Sequence, residues 1–245
     1  MSPDMEFMLH IVLFGVDMLI SKPYKISILL ISLLVSYTAS AGVVIGGTRM
    51  IYNQGNSQAT ISVNNPDDRA YLIQSWVNKD SNLDDNDDTF LATPPIFKLE
   101  PKSQNSVRIV YTGKALPQDR ESLFWLNIKS IPSTNQNAQN QLLITVKSKM
   151  KLFYRPTGLK GDSSTAYKEL SFIRSNNKIK IMNPSSYNVS IYKISFDHVD
   201  RNNIEMIPAK GELDVDAGNK KYNSAEWSAI NDFGGITSTV SKIIK

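Results

Sequence analysis

Residues 141–156 read QLLITVKSKMKLFYRP, and this stretch decides the fold. In its first half Leu142, Ile144 and Val146 fall on one face of an extended chain, with Leu143, Thr145 and Lys147 on the other. The second half sets Lys147, Lys149, Lys151 and Arg155 around Met150, Leu152, Phe153 and Tyr154, until Pro156 and Gly158 stop it. The pattern predicts a single strand of roughly fourteen residues, where an ordinary strand has about 5–6. A strand that long either bridges two domains or offers its edge to a partner. The alternative is an ordinary core strand with a solvated basic end.

Upstream, short strands alternate with turns. Val43 to Ile45 opens the series, Gly46-Gly47 loosens it, and Thr48 to Tyr52 continues it. Ala59, Ile61 and Val63 alternate with polar residues, and Tyr71, Ile73 and Ser75 stand against Leu72, Gln74 and Trp76. Trp76 is expected to anchor a core between two sheets. Phe90 to Phe97 contains Thr93-Pro94-Pro95, and a proline pair belongs at an edge or turn because it donates no ladder hydrogen bond. Val107 to Tyr111 and Leu123 to Ile128 follow, and the polar loop Pro132 to Asn140 leads into the long strand. With no helical period, about seven strands in this span indicate an immunoglobulin-like β-sandwich.

Beyond Gly158, Lys160 to Thr165 reads as a linker. The same style then returns in Leu170 to Ile173, Ile179 to Met182, Val189 to Phe196, Ile204 to Ile207, Trp227 to Ile230 and Ile236 to Ile244. The chain is therefore expected to be all-β, with one sandwich over residues 42–158 and a smaller one over 159–245.

The first 41 residues look unlike either sandwich. Lys22 and Lys25, an apolar run from Ile26 to Tyr37, and Thr38-Ala39-Ser40-Ala41 have the order of a secretory signal, with cleavage expected after Ala41. A second apolar patch, Phe7 to Val16, precedes it, and a start at Met18 would give a signal of ordinary length. The run from Ile26 to Tyr37 is too short to span a bilayer comfortably and no other stretch reaches about 18 apolar residues, so no stable membrane insertion is expected after cleavage.

Residues 1–41 hold two of the 27 basic and three of the 23 acidic residues, which leaves a net charge of +5 for the remainder. Such a mild excess fits a solvated surface with one basic cleft better than a nucleic-acid binder. There is no cysteine, so the core must stabilise the fold without disulfides. His198 is the one histidine after the signal, and it stands in Phe196-Asp197-His198-Val199-Asp200 without a serine motif. Zinc sites of cysteine and histidine, cysteine nucleophiles and most Ser/His arrangements are thereby excluded. The run Asp84-Asp85-Asn86-Asp87-Asp88 lacks the glycine and distal glutamate of a calcium loop and reads as a solvated turn. No metal or cofactor is expected.

Arg49 and Lys151 both stand in apolar strand context. If the first and last strands of the first sandwich are neighbours, the two cations would meet and would suit an anion such as a terminal carboxylate. Arg155 ends an aromatic run and is expected to be buried with acidic partners, for which Glu121 and Asp232 are the candidates.

Several motifs in order carry a family resemblance. They are Thr48-Arg49, Ala92-Thr93-Pro94-Pro95 with Leu99-Glu100-Pro101, Leu116 to Trp125, Lys151 to Pro156, and Ile230-Asn231-Asp232-Phe233-Gly234-Gly235. Over nearly all of residues 42–245 the chain resembles the PapD-like periplasmic chaperones of the chaperone–usher pathway. The resemblance implies two immunoglobulin-like domains in an L-shaped arrangement. It implies a periplasmic, non-enzymatic chaperone that captures fimbrial subunits by donor-strand complementation and delivers them to an outer-membrane usher.

Carried over by position, Arg49 and Lys151 match the cleft cations that hold the subunit's terminal carboxylate. Leu142, Ile144 and Val146 match the donated residues, and Glu121, Arg155 and Asp232 an inter-domain ionic cluster. Pro94 and Pro95 match a segment implicated in restraining premature usher engagement. The short loop Pro132 to Asn140, just before the donated strand, and the lack of cysteine resemble the short-loop subfamily, which usually assembles rod-like pili. An exposed donor strand would also offer the free protein a surface for self-association. The rival readings are an exported adhesive subunit, a β-scaffold hydrolase and a nucleic-acid binder on Lys147, Lys149 and Lys151.

Overall fold

The computed structural model describes residues 42–79, 88–134 and 142–245, so the signal-like segment, most of the acidic run and most of the loop before residue 141 lie outside the described residues. The first sandwich contains β1 (Val44–Ile45), β2 (Arg49–Asn53), β3 (Ala59–Asn65), β4 (Tyr71–Asn78), β5 (Phe90–Thr93), β6 (Ile96–Leu99), β7 (Ser103–Tyr111), β8 (Ser122–Pro132) and β9 (Val146–Arg155). One of its sheets runs β1-β3-β7-β5, and the other runs β2-β9-β8-β4-β6.

Two breaks in the chain allow it to move between these sheets. At Gly46 the backbone N–H donates to Ser62 O at 2.9 Å, and a Cβ there would collide with the Ser62 hydroxyl. A larger residue would have to turn the Ser62 hydroxyl aside, and beyond Gly46 the chain leaves β3 to join β9. The second break is Pro94-Pro95, between β5 on β7 and β6 on β4. The missing N–H groups cost nothing there, while both carbonyls are used: Ser75 donates its N–H to Pro95 O at 2.8 Å and its hydroxyl to Pro94 O at 2.9 Å.

Ser75 also corrects the expectation for Trp76. Tyr71, Ile73, Ser75 and Val77 are buried, so Trp76 points to the outer face, half-buried, with the Lys147 ammonium 5.9 Å from its ring centroid. The core is instead filled by Tyr52, Phe90, Phe124 and Tyr154, with Phe90 and Phe124 edge-to-face at 4.9 Å. Burying each such side chain contributes about 1.5–3 kcal/mol.

The long strand is shorter than expected. β9 spans 10 residues, and residues 142–145 carry no ladder. β8 lines β9 from Val146 to Tyr154, but β2 covers the opposite flank only from Lys151 to Arg155. Because β1 stays with the other sheet, no strand occupies that flank along residues 146–150 among the described residues. An extended chain without a partner is not a strand, whatever its pattern.

The second sandwich follows a 3₁₀ turn, Ala166–Glu169. It contains β10 (Ser171–Ser175), β11 (Lys178–Met182), β12 (Val189–Phe196), β13 (Val199–Asp200), β14 (Met206–Ile207), β15 (Glu212–Asp216), β16 (Ser224–Ala229) and β17 (Val240–Ile243). Its sheets run β10-β11-β15 and β13-β12-β16-β17, with β14 also on β12. Trp227 is the central side chain, 1% exposed, and its indole N–H donates to Tyr167 O at 2.9 Å. β15 went unrecognised because its outward residues are carboxylates. Their partners are cross-strand, with Lys180 Nζ 2.6 Å from Glu212 Oε1. His198 is exposed, 3.5 Å from Glu226.

Candidate functional site: paired cations at the end of an unfinished edge

Arg49 is the first residue of β2 and lies in register with Lys151 of the parallel β9, so both side chains leave the sheet on one face. Arg49 Nη1 donates to Ile230 O at 3.0 Å, and its guanidinium stands 5.9 Å from the Phe153 ring centroid. The Lys151 ammonium stands 5.8 Å from the Trp125 ring centroid. Neither cation forms a salt bridge among the described residues, and Arg49 Nε is buried without a hydrogen-bond partner. Burial holds the Lys151 amine below its ordinary range, against the attraction of Glu205 and helped by the charge of Arg49. Burial likewise lowers Arg49, against the attraction of Asp232 and Glu121. Two partly desolvated cations side by side disfavour each other's charge, and a bound anion relieves both terms.

A second constellation sits beside them. Arg155 Nε donates to Glu121 Oε1 at 2.7 Å, while Nη1 and Nη2 form a fork with Asp232 Oδ2 and Oδ1 at 2.7 and 2.9 Å. Glu121 Oε2 accepts from Asn188 N at 2.8 Å, and Asp232 Oδ2 accepts from Ser163 Oγ at 3.0 Å. The Glu121 side chain is 2% exposed and that of Arg155 18%. Burial raises Glu121 above the ordinary carboxylate range despite Arg155. Burial also pushes on Asp232, but the hydrogen bonds and charge of Arg155 outweigh it and hold that carboxyl low. Glu121 N–H donates to Ser186 O at 2.9 Å, and Lys210 Nζ reaches Asp119 at 2.9 Å, so backbone and surface contacts support the same junction.

Asp232 belongs to a clamped turn. Asn231 Oδ1 accepts from Phe233 N at 3.0 Å and Gly235 N at 2.9 Å, and Asn231 N donates to Gly235 O at 2.8 Å. Gly234 has φ +84°, and a Cβ there would lie 2.7 Å from Thr48 Oγ1. Gly234→Ala is accordingly expected to lower stability by about 1–3 kcal/mol, read from the denaturation midpoint; an unchanged midpoint would show that the turn yields.

Along the open flank of β9, Leu142 is 85% exposed, Ile144 66% and Val146 54%. They share parity with the buried Met150, Leu152 and Tyr154, so the core stripe of β9 runs on into solvent. Asn188, Ser163 and the Ile230 carbonyl had no role in the sequence reading. Polar residues and carbonyls give no pattern of their own, and only the fold brings them to these charges. Phe233 stood within a quoted motif without being singled out. Among the described residues no group of three metal-ligating side chains occurs, and no helix is long and apolar enough to cross a membrane.

Two family models divide the chain between them. Residues 42–160 match the N-terminal domain of the PapD pili and flagellar-assembly chaperones, and residues 165–241 match the C-terminal domain of the PapD pili assembly chaperone. The chain belongs to this family, the pilus-assembly chaperones of the chaperone–usher pathway. Among its relatives is the chaperone protein LpfB of Salmonella typhimurium, 39% identical over 87% of this chain and 94% of that protein. The chaperone protein FimC of Escherichia coli K12 is 34% identical over 89% of this chain and 91% of its own. Among solved structures, the Salmonella enterica SafA pilin in complex with the SafB chaperone matches with a TM-score of 0.75 at 30% identity, covering 85% of this chain and 99% of that one. The Escherichia coli chaperone DraB matches with a TM-score of 0.73 at 29% identity, covering 83% and 97%.

Proposed function

We propose that this chaperone captures fimbrial subunits by lending them the edge of β9 and holding their C-terminal carboxylate between Arg49 and Lys151. The observation that carries the reading is the point where β2 takes over the flank of β9, at Arg49 beside Lys151. A strand added along residues 142–150 must end there, and it meets two cations without a salt-bridge partner among the described residues. A carboxylate is the group that ends a chain and answers both charges. Main-chain hydrogen bonds would give affinity, Leu142, Ile144 and Val146 would enter pockets at period two, and the anchor would set the register. One solved neighbour, by its description, is a chaperone in complex with a pilin.

In this reading residues 1–41 are a signal removed on export, residues 42–158 and 159–245 are the two domains, and the protein works in the periplasm. The Glu121–Arg155–Asp232 cluster holds the two sandwiches in the orientation that presents the cations. Delivery goes to an outer-membrane usher, with the Pro94-Pro95 segment between β5 and β6 restraining early engagement, and any self-association of the free protein would use the same β9 edge.

The test is co-purification from the periplasm with the subunit encoded beside the chaperone gene. Arg49→Ala and Lys151→Ala are each expected to weaken capture by about 1.5–3 kcal/mol, roughly 10- to 150-fold, in folded protein. Equal retention by the wild type and both variants would sink the carboxylate reading.

A further inference from the structure

Phe233 is 98% exposed, the most solvent-accessible large apolar side chain among the described residues. Exposed aromatics on mobile loops are unremarkable, but this backbone is held on every side. Asp232 is forked onto Arg155, Asn231 closes the turn with its side chain and main chain, and Gly234 lies against Thr48. Ile230, just before the turn, gives its carbonyl to Arg49 and pairs with Ile236, itself exposed. The turn therefore carries an exposed ring on an ordered backbone, and that backbone lies against Thr48, the residue that precedes Arg49. An aromatic that is pre-ordered yet unburied has already lost its backbone freedom, so contact with a partner recovers the apolar burial at small entropic cost.

The topology says which partner reaches it. The open flank of β9 ends where β2 begins, at Thr48-Arg49, and in the carboxylate-anchor reading it is the C-terminal end of the captured chain that stops there. Its last residues then lie next to the turn that touches Thr48. We propose that Phe233 is a specificity-determining contact for the captured chain, packing on an apolar side chain next to that chain's terminal carboxylate. The inference rests on the carboxylate-anchor reading and adds a preference to it: Arg49 and Lys151 accept any chain end, whereas Phe233 selects those with an apolar last or second-last side chain.

The experiment co-expresses the neighbouring fimbrial subunit with two differently tagged chaperones, wild type against a variant, and reads the ratio of subunit retained. Phe233→Ala is expected to keep the wild-type melting temperature and to lose the competition by roughly 5- to 30-fold, with Phe233→Leu close to wild type. Replacing the subunit's last two apolar side chains by serine should weaken capture by the wild type and add little to Phe233→Ala. Full additivity of the two changes would overturn the contact. So would Phe233→Ala competing as well as wild type while Arg49→Ala loses the subunit, an outcome that leaves the anchor intact. If Arg49→Ala and Lys151→Ala both retain the subunit, the anchor itself fails and this contact falls with it.

Discussion

Arg155→Ala is expected to lower the stability of the chaperone by about 3–5 kcal/mol, a fall of roughly 6–20 °C in melting temperature for a chain of this size. The guanidinium is shared between Glu121, nearly inaccessible, and Asp232, and their ionic hydrogen bonds join strand β9 of the first sandwich to the turn after β16 of the second. Removing it leaves Glu121 charged and buried with only Asn188 for support. The penalty is that of an orphaned buried carboxylate, which exceeds the net worth of the pair. Arg155→Lys keeps the charge but loses the planar fork to Asp232, so an intermediate loss is expected.

The sign of the pH response tests the same account. Asp232 is depressed in the wild type, so its contribution is complete above the ordinary aspartate range and is lost as pH falls through its lowered value. Glu121 is raised, so the fold binds its proton more tightly than the unfolded chain and gains stability as pH falls through the window above the ordinary glutamate range. Without Arg155 the depression of Asp232 loses its main cause and the rise of Glu121 loses its main opponent. The deficit of Arg155→Ala should therefore be largest at neutral pH and shrink on mild acidification. An unchanged melting temperature, or a deficit that grows toward acid, would mean that the cluster does not work through the buried carboxylate.

Alternation along the strands made the sandwich class legible, because burying one face of a pleated strand is written at period two. Parity was less legible. The run Tyr71 to Val77 places Ser75 inside and Trp76 outside, because the Ser75 N–H and hydroxyl bind the carbonyls of Pro95 and Pro94, a contact made by distant chain. The length of β9 failed for a related reason: residues 142–145 have a strand's pattern, but ladder hydrogen bonds need a second chain. β15 hid behind Glu212, Asp214 and Asp216, whose side chains read as a loop until Lys178 and Lys180 stand across from them. Arg49 and Lys151 could be paired only on the condition that two strands were neighbours. Asp232 is 77 residues from Arg155, beyond the reach of any local pattern, and stands out in the sequence only as an acid in a polar motif beside an apolar segment.

The donor edge carries the other large expected effect. Replacing Leu142, Ile144 and Val146 together by serine is expected to abolish subunit capture while leaving the unfolding free energy within about 0.5 kcal/mol of wild type, because all three side chains are solvent-exposed in the free protein. In the proposed complex each contributes about 1.5–3 kcal/mol of burial, so the loss far exceeds that from either cation alone. Parity gives the sharper comparison. Ile144 continues the stripe of Met150, Leu152 and Tyr154, whereas Leu143 is on the opposite face, although it too is exposed. Ile144→Ser should weaken capture roughly 10-fold or more, and Leu143→Ser should be nearly neutral. Equal losses would mean that the subunit reads general hydrophobicity near residue 143, as an unstructured sticky segment would offer. A loss confined to the even positions would instead require that residues 142–146 become a true strand on binding. The open flank of β9 and the subunit would then each supply the backbone partner the other lacks.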